Sequence, residues 1–215
     1  MLTVTAKERT PLLEPGVYPA VCSMVIDLGM QYSAKYNKSA PNVRLVWEIV
    51  GETMTIDGKE VPRQIFKDFT AYLCDNSNLY KTLTSWRGKP FTPEELNVFD
   101  LKNLLGACCQ LQLIHKTSAR ENVYAAVENI MALPKGIAKP EASKTVVFDL
   151  DNPETYGVFE TLPRYTQEMI GKAEGFEQTG LVVPERSART AAPLPAQPSC
   201  GDFEEIVTDD NDTMF

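Results

Sequence analysis

Ser77-Asn-Leu-Tyr-Lys-Thr-Leu-Thr-Ser-Trp-Arg-Gly88, followed shortly by Thr92-Pro-Glu-Glu-Leu-Asn-Val-Phe99, brings a helical period into a chain otherwise patterned for strands. Ser77 can cap the first helix. Leu79, Leu83 and Trp86 recur at i, i+4 and i+7, and Gly88 is placed to stop it. Thr92 and Glu95 make a capping box, with Pro93 at the first helical position. Leu96, Phe99 and Leu104 continue an apolar stripe, and this second helix is expected to run to just before Gly106. Both helices are amphipathic and need an apolar surface to lie on.

The flanking segments supply that surface. Residues 17–28 are rich in β-formers and lack a helical period, and Pro19 puts their start at an edge or a bulge. In residues 43–50, Val43, Leu45, Trp47 and Ile49 face one way, and Arg44, Val46 and Glu48 the other. Asp57-Gly58 is a hairpin turn signal. Residues 63–73 follow, with Phe66 and Tyr72 on one face and Lys67 and Phe69 on the other. After the helices, residues 107–116 alternate apolar and polar side chains. Residues 123–133 pair with them across a polar turn containing Arg120. Three strands, a helical insertion and a two-strand hairpin define a mainly β fold. The expectation is an OB-fold-like five-stranded barrel, helices between strands three and four, of the kind that binds oligonucleotides on one face. A generic small barrel or α+β domain fits the same spacing.

Around this core, expected at 16–136, residues 1–15 read as an arm holding Pro11 and Pro15. Residues 137–175 read as an extension packing on the core. They hold a short strand near 145–148, a short helix from Asn152-Pro153 bearing Tyr156, Phe159 and Leu162, and another over 164–173. Residues 176–200 read as a Pro/Ala-rich flexible linker, with Pro184, Pro193, Pro195 and Pro198. Residues 201–215 form an acidic tail with Asp202, Glu204, Glu205, Asp209, Asp210 and Asp212, ending in Met214-Phe215. Such a stretch buries too little apolar surface to offset the entropy of ordering, so disorder is expected. An acidic tether with an aromatic terminus suits capture by a basic, apolar-lined pocket.

The net charge of −8 is unevenly placed: no Lys or Arg follows Arg189, so residues 1–189 hold 21 bases against 23 acids. The low pI belongs largely to the tail. The five cysteines (Cys22, Cys74, Cys108, Cys109, Cys200) form no C-x-x-C pair, and His115 is the one histidine. Buried free thiols in a reducing compartment are expected rather than a zinc site. The N-terminus has no apolar signal-peptide region, and no run reaches the ~18–20 apolar residues of a membrane span. No phosphate-binding Gly-rich motif is present, and a single His without a nucleophile pattern argues against a catalytic triad. Asp149 and Asp151 read as a strand end leading to a helix cap rather than a Mg²⁺ site. The expectation is a binding protein, not an enzyme, with no cofactor and no metal.

A barrel face that binds oligonucleotides would need cations that track phosphates and aromatic faces for bases to stack on. The candidates are Tyr32, Lys35, Tyr36 and Lys38 in the first loop; Arg44; Arg63, Phe66 and Lys67; Trp86, Arg87 and Lys89; and Lys116, Arg120 and Tyr124 in the last hairpin. Tyr32-x-x-x-Tyr36 flanked by lysines is the sharpest signal, because exposed aromatics among cations serve no core. Trp47 shares a face with three aliphatics and reads as core. Phe69 and, by its spacing to Leu79 and Leu83, Trp86 lean the same way.

Gly16-Val-Tyr-Pro-Ala20, Val46-Trp-Glu-Ile49, Ser85-Trp-Arg-Gly-Lys-Pro-Phe91 and Leu133-Pro-Lys-Gly136 resemble a family of phage-encoded single-stranded DNA-binding proteins from replication and recombination modules. The likeness covers about residues 14–175. With the linker and Phe-terminated tail, the whole chain also resembles bacterial single-stranded DNA-binding proteins. The resemblance implies a protein of the bacterial host cytoplasm that coats single-stranded DNA without sequence specificity. Asp209, Asp210, Asp212 and Phe215 would then dock on replication and recombination proteins. Thr213-Met214 stands where the bacterial tail has Ile-Pro. The tail should also mimic phosphate and compete for the body's cations. The sequence leaves oligomeric state, including a homo-oligomer, open. The competing reading is a protein–protein adaptor, or an acidic DNA mimic that inhibits a host factor.

Overall fold

The computed structural model describes residues 11–34, 36–56, 58–118 and 121–184. Five expected strands form: β1 (Gly16–Ser33), β2 (Lys38–Ile56), β3 (Lys59–Thr70), β4 (Cys108–Thr117) and β5 (Val123–Ala132). β1 and β2 run well past their apolar stretches. Their hairpin ladder continues to the pair Ser33↔Lys38, and the next hairpin closes at Ile56↔Lys59. A short β6 (Val146–Phe148) completes a six-stranded sheet.

The strands lie in the order β3-β2-β1-β4-β5, all antiparallel. One edge of β1 serves β2. The other is shared: β4 pairs with Gly16–Val21, and β6 runs parallel to Met24–Ile26. Register shifts at Cys22/Met24 and Asp27/Gly29 bend β1 between these partners. Gly29 lies at φ 71, and a Cβ there would sit 2.6 Å from the Ala173 side chain. No ladder joins β3 to β5 among the described residues, but the two approach each other, and Lys67 Nζ donates to the Glu128 carbonyl at 3.1 Å.

The inner faces form the main core, where Val43, Leu45, Trp47 and Ile49 meet Ala20, Cys22, Leu111, Leu113 and Ile130. Helix α1 (Asn78–Arg87) closes it with Leu79, Leu83 and Trp86. Ser77 accepts the Tyr80 N–H as N-cap, and Gly88 ends the helix at φ 70. Helix α2 (Pro93–Val98) has the full capping box but stops well short of Gly106. Phe99 turns extended to set its ring edge-on to Phe91, at 5.0 Å, and Asp100 then caps a separate 3-10 turn at Leu101–Leu104. Burial pushes the Cys22 thiol up to about 12, and raises Cys109 likewise.

A second core lies on the outer face of β1 and β2. Ile26, Leu28 and Val46 meet Val146, Phe148, Phe159, Leu162, Ile170 and Phe176. The covering chain is β6, a 3-10 helix (Pro153–Thr161), α3 (Arg164–Ile170) and a turn at Phe176–Thr179. Polar ties fix it to the sheet. Gln31 donates to the Met169 carbonyl at 3.0 Å, and the Glu174 N–H to Met30 at 3.0 Å. The expected linker start at 176 therefore falls inside packed chain: Phe176 is buried, and Leu181 and Val183 pack beside it. The expected arm is also anchored. Leu13 is buried, and its carbonyl lies 2.7 Å from His115 Nε2. No helix among the described residues is long and apolar enough to cross a membrane.

Candidate nucleic-acid interface

The β1–β2 hairpin carries the sharpest sequence signal into solvent. Tyr32 is 60% exposed, and its hydroxyl donates to Asn37 Oδ1 at 2.7 Å. Asn37, at φ 48, supplies the left-handed residue of the turn. Tyr36 is also exposed, and Lys38 stands opposite Ser33, one pair beyond Tyr32. The tip thus joins two open aromatic rings to a cation. Lys35 lies outside the described residues.

A second exposed row runs along β3. Gln64, Phe66, Asp68 and Thr70 alternate outward, and Tyr72 continues the row just past the strand. The Ala71 N–H donates to the Pro41 carbonyl at 2.7 Å, holding this end against β2. Phe66 and Tyr72 are both about half exposed. Over six residues of extended chain they stand roughly 20 Å apart.

Arg44 is a correction. Alternation places it on the outward face, but α3 covers that face and the side chain is 1% exposed. Its Nε and Nη2 donate to the two oxygens of Asp68, both at 2.7 Å, and Nη1 donates to Thr166 Oγ1 at 2.8 Å. The guanidinium lies 4.0 Å from the Phe66 ring centre and 5.1 Å from that of Tyr165. It cannot track phosphates.

Trp86 is the second correction. Its ring is buried in the main core, 5.9 Å from Trp47, and its indole N–H donates to the Cys108 carbonyl at 2.9 Å. Arg87 gives two hydrogen bonds to Glu95, at 3.1 and 2.7 Å, and lies 4.1 Å over Phe91. The Arg87 guanidinium, helped by the Thr92 N–H, holds the Glu95 carboxyl down to about 2. Lys89 is exposed, 3.9 Å from the same carboxylate. Lys67 lies in the β3–β5 seam, near the Phe69 ring. Lys116 pairs with Glu128 at 3.4 Å and stands opposite the partly exposed Tyr124. Arg63 is half-buried at the β3 end opposite Tyr72. Arg120, Asp209, Asp210, Asp212 and Phe215 lie outside the described residues.

The structure therefore brings together Tyr32, Tyr36 and Lys38 at the hairpin tip. It puts Phe66 on an outward row and leaves Arg87, Lys89, Lys116 and Tyr124 on other elements. Two exposed aromatics were missing from the candidates. Tyr72 shares the Phe66 face, so alternation alone could have added it. Tyr165, 51% exposed, gave no signal, because it meets β2 and β3 only through the fold. No protein-family model matches the chain, and no curated protein matches it.

Proposed function

We propose that this protein binds single-stranded DNA without sequence specificity, in phage DNA replication and recombination inside a bacterial host. It acts as a binding protein, not an enzyme, on an OB-fold-like sheet. Its acidic C-terminal residues recruit replication and recombination proteins. The observation that carries the reading is the hairpin tip, where Tyr32 and Tyr36 stand open beside Lys38. Large rings held in water beside a cation contribute nothing to a core and match the stacking and phosphate contacts of single-strand binding. The strand order, with β1 between β2 and β4 and with β3 approaching β5, supports the OB-like barrel, and α1 closes its end.

One observation favours the adaptor or DNA-mimic reading. Arg44, Arg87 and Lys116, three of the expected phosphate contacts, each meet a carboxylate of the protein. A salt series separates the two. Labelled oligo(dT) is titrated with the full chain and with a chain ending at Pro198. Single-strand binding gives an affinity whose logarithm falls linearly with log salt, through counterion release. Tighter binding by the shorter chain adds competition from the acidic tail. No binding by either chain at low salt leaves the adaptor as the better account.

A further inference from the structure

We infer that Phe66 and Tyr165 form one base-stacking clip, so that α3 completes the strand-binding face instead of only covering the sheet. The inference rests on the single-strand reading above and names where, on the sheet, unpaired bases are taken.

Phe66 on β3 and Tyr165 on α3 come from positions about a hundred residues apart, yet their ring centres are 6.4 Å apart and their planes differ by 34°. Both rings are about half exposed, and neither belongs to either hydrophobic core. They are fixed from beneath by the buried Arg44 guanidinium, itself held by Asp68 and Thr166. Thr166 follows Tyr165 directly, so the bond that anchors Arg44 also sets the start of α3. A rigid pair of open, flat rings offers stacking area with little side-chain entropy left to lose.

The surroundings select a nucleobase on a phosphate chain. Asp68 is the acid of the outward β3 row, and both its oxygens are bound by Arg44, so it does not repel phosphates. Arg63 adjoins one end of the row but alternates to the other face of β3, and Lys38 lies toward the opposite end. Neither has an ion-pair partner among the described residues. Tyr72 prolongs the row toward the hairpin tip that holds Tyr32 and Tyr36. Open flat rings with Lys38 toward one end of their row fit a single strand whose bases stack while its phosphates run on to a cation.

The test compares oligo(dT) with an abasic strand of equal length, which keeps the phosphates and lacks the bases. Binding of both to the full chain, Tyr165→Ala, Tyr165→Phe and Phe66→Ala is followed by fluorescence anisotropy. Urea unfolding first checks that each variant is folded. The clip predicts that Tyr165→Ala and Phe66→Ala weaken oligo(dT) binding about 5- to 150-fold, leave abasic binding within about twofold, and that Tyr165→Phe keeps the affinity. Unchanged oligo(dT) binding by Tyr165→Ala, or equal losses on both strands, overturns the clip while leaving the single-strand reading in place. An unmodified chain that binds neither strand overturns that reading, and the clip with it.

Discussion

Arg44 and Arg87 make the same three contacts in different places. Each meets both oxygens of one carboxylate, and each lies within about 4 Å of an aromatic ring centre. Arg44 is 1% exposed, between the sheet and α3, whereas the Arg87 side chain is 23% exposed at the helical insertion. Burial turns the same geometry into different physics. A buried guanidinium has given up its hydration and depends on Asp68 and Thr166 to replace it. A partly exposed one keeps water as an alternative partner, so its ion pair contributes less. The Arg44 unit thus ties the outer core to β2 and β3, while the Arg87 unit only trims the junction of α1 and α2.

The sharpest way to break this contrast is to remove the carboxylate that holds the buried guanidinium. Asp68→Ala leaves Arg44 charged and short of its partner, and should cost about 3 kcal/mol of stability in urea unfolding. Adding Arg44→Met removes the stranded charge, so the double variant should recover part of that loss. A single variant as stable as the parent, or a double variant less stable than Asp68→Ala, would mean that the Arg44–Asp68 pair does not organise this face.

Glu48 gives an intermediate case, a buried carboxylate with no cation beside it among the described residues. Its oxygens accept the Ser143 N–H at 2.8 Å and the Ser143 hydroxyl at 2.7 Å, with Gln64 at 3.4 Å. Ser143→Ala removes the hydroxyl and leaves the backbone bond. The expected cost is about 1–3 kcal/mol, below that of Asp68→Ala because one strong donor stays in place. Matching urea midpoints for Ser143→Ala and the parent would show that water replaces the hydroxyl and that the 143 region does not bind β2.

These residues also explain how far the sequence could be read. The inner face of β2 follows strict alternation, so Val43, Leu45, Trp47 and Ile49 were legible as core. So were the helix caps at Ser77 and Thr92, because each is set within four residues of chain. The outer face was misread where it mattered for the site. Alternation puts Arg44 and Glu48 on the face away from the main core, but residues 143–176 cover them there and supply Thr166 and Ser143 as partners from about a hundred positions away. Trp86 was legible as core from its helical spacing even though it stood among the binding candidates. The Tyr32/Tyr36/Lys38 tip was legible because it is local to one hairpin. The Phe66–Tyr165 clip was not, because a tertiary contact makes it.

The smallest expected effect tests the exposed side of the comparison, through pH. The Glu95 carboxyl titrates near 2 in the folded chain, below its ordinary 4.5, first because Arg87 bonds to it and then because the Thr92 N–H does. A depressed carboxyl stabilises the fold above its ordinary value, and that contribution disappears as pH falls from 4.5 toward 2. Glu95→Gln keeps an acceptor for the Thr92 N–H but removes the titrating charge. Its Tm should therefore lie slightly below the parent's at neutral pH, by little because solvent screens the pair, and fall less steeply between pH 4.5 and 2, so that the two converge in acid. Equal slopes would show that the Arg87 pair is not held in solution. A large gap at neutral pH would show that the exposed unit is structural after all, and that burial is not what separates the two arginines.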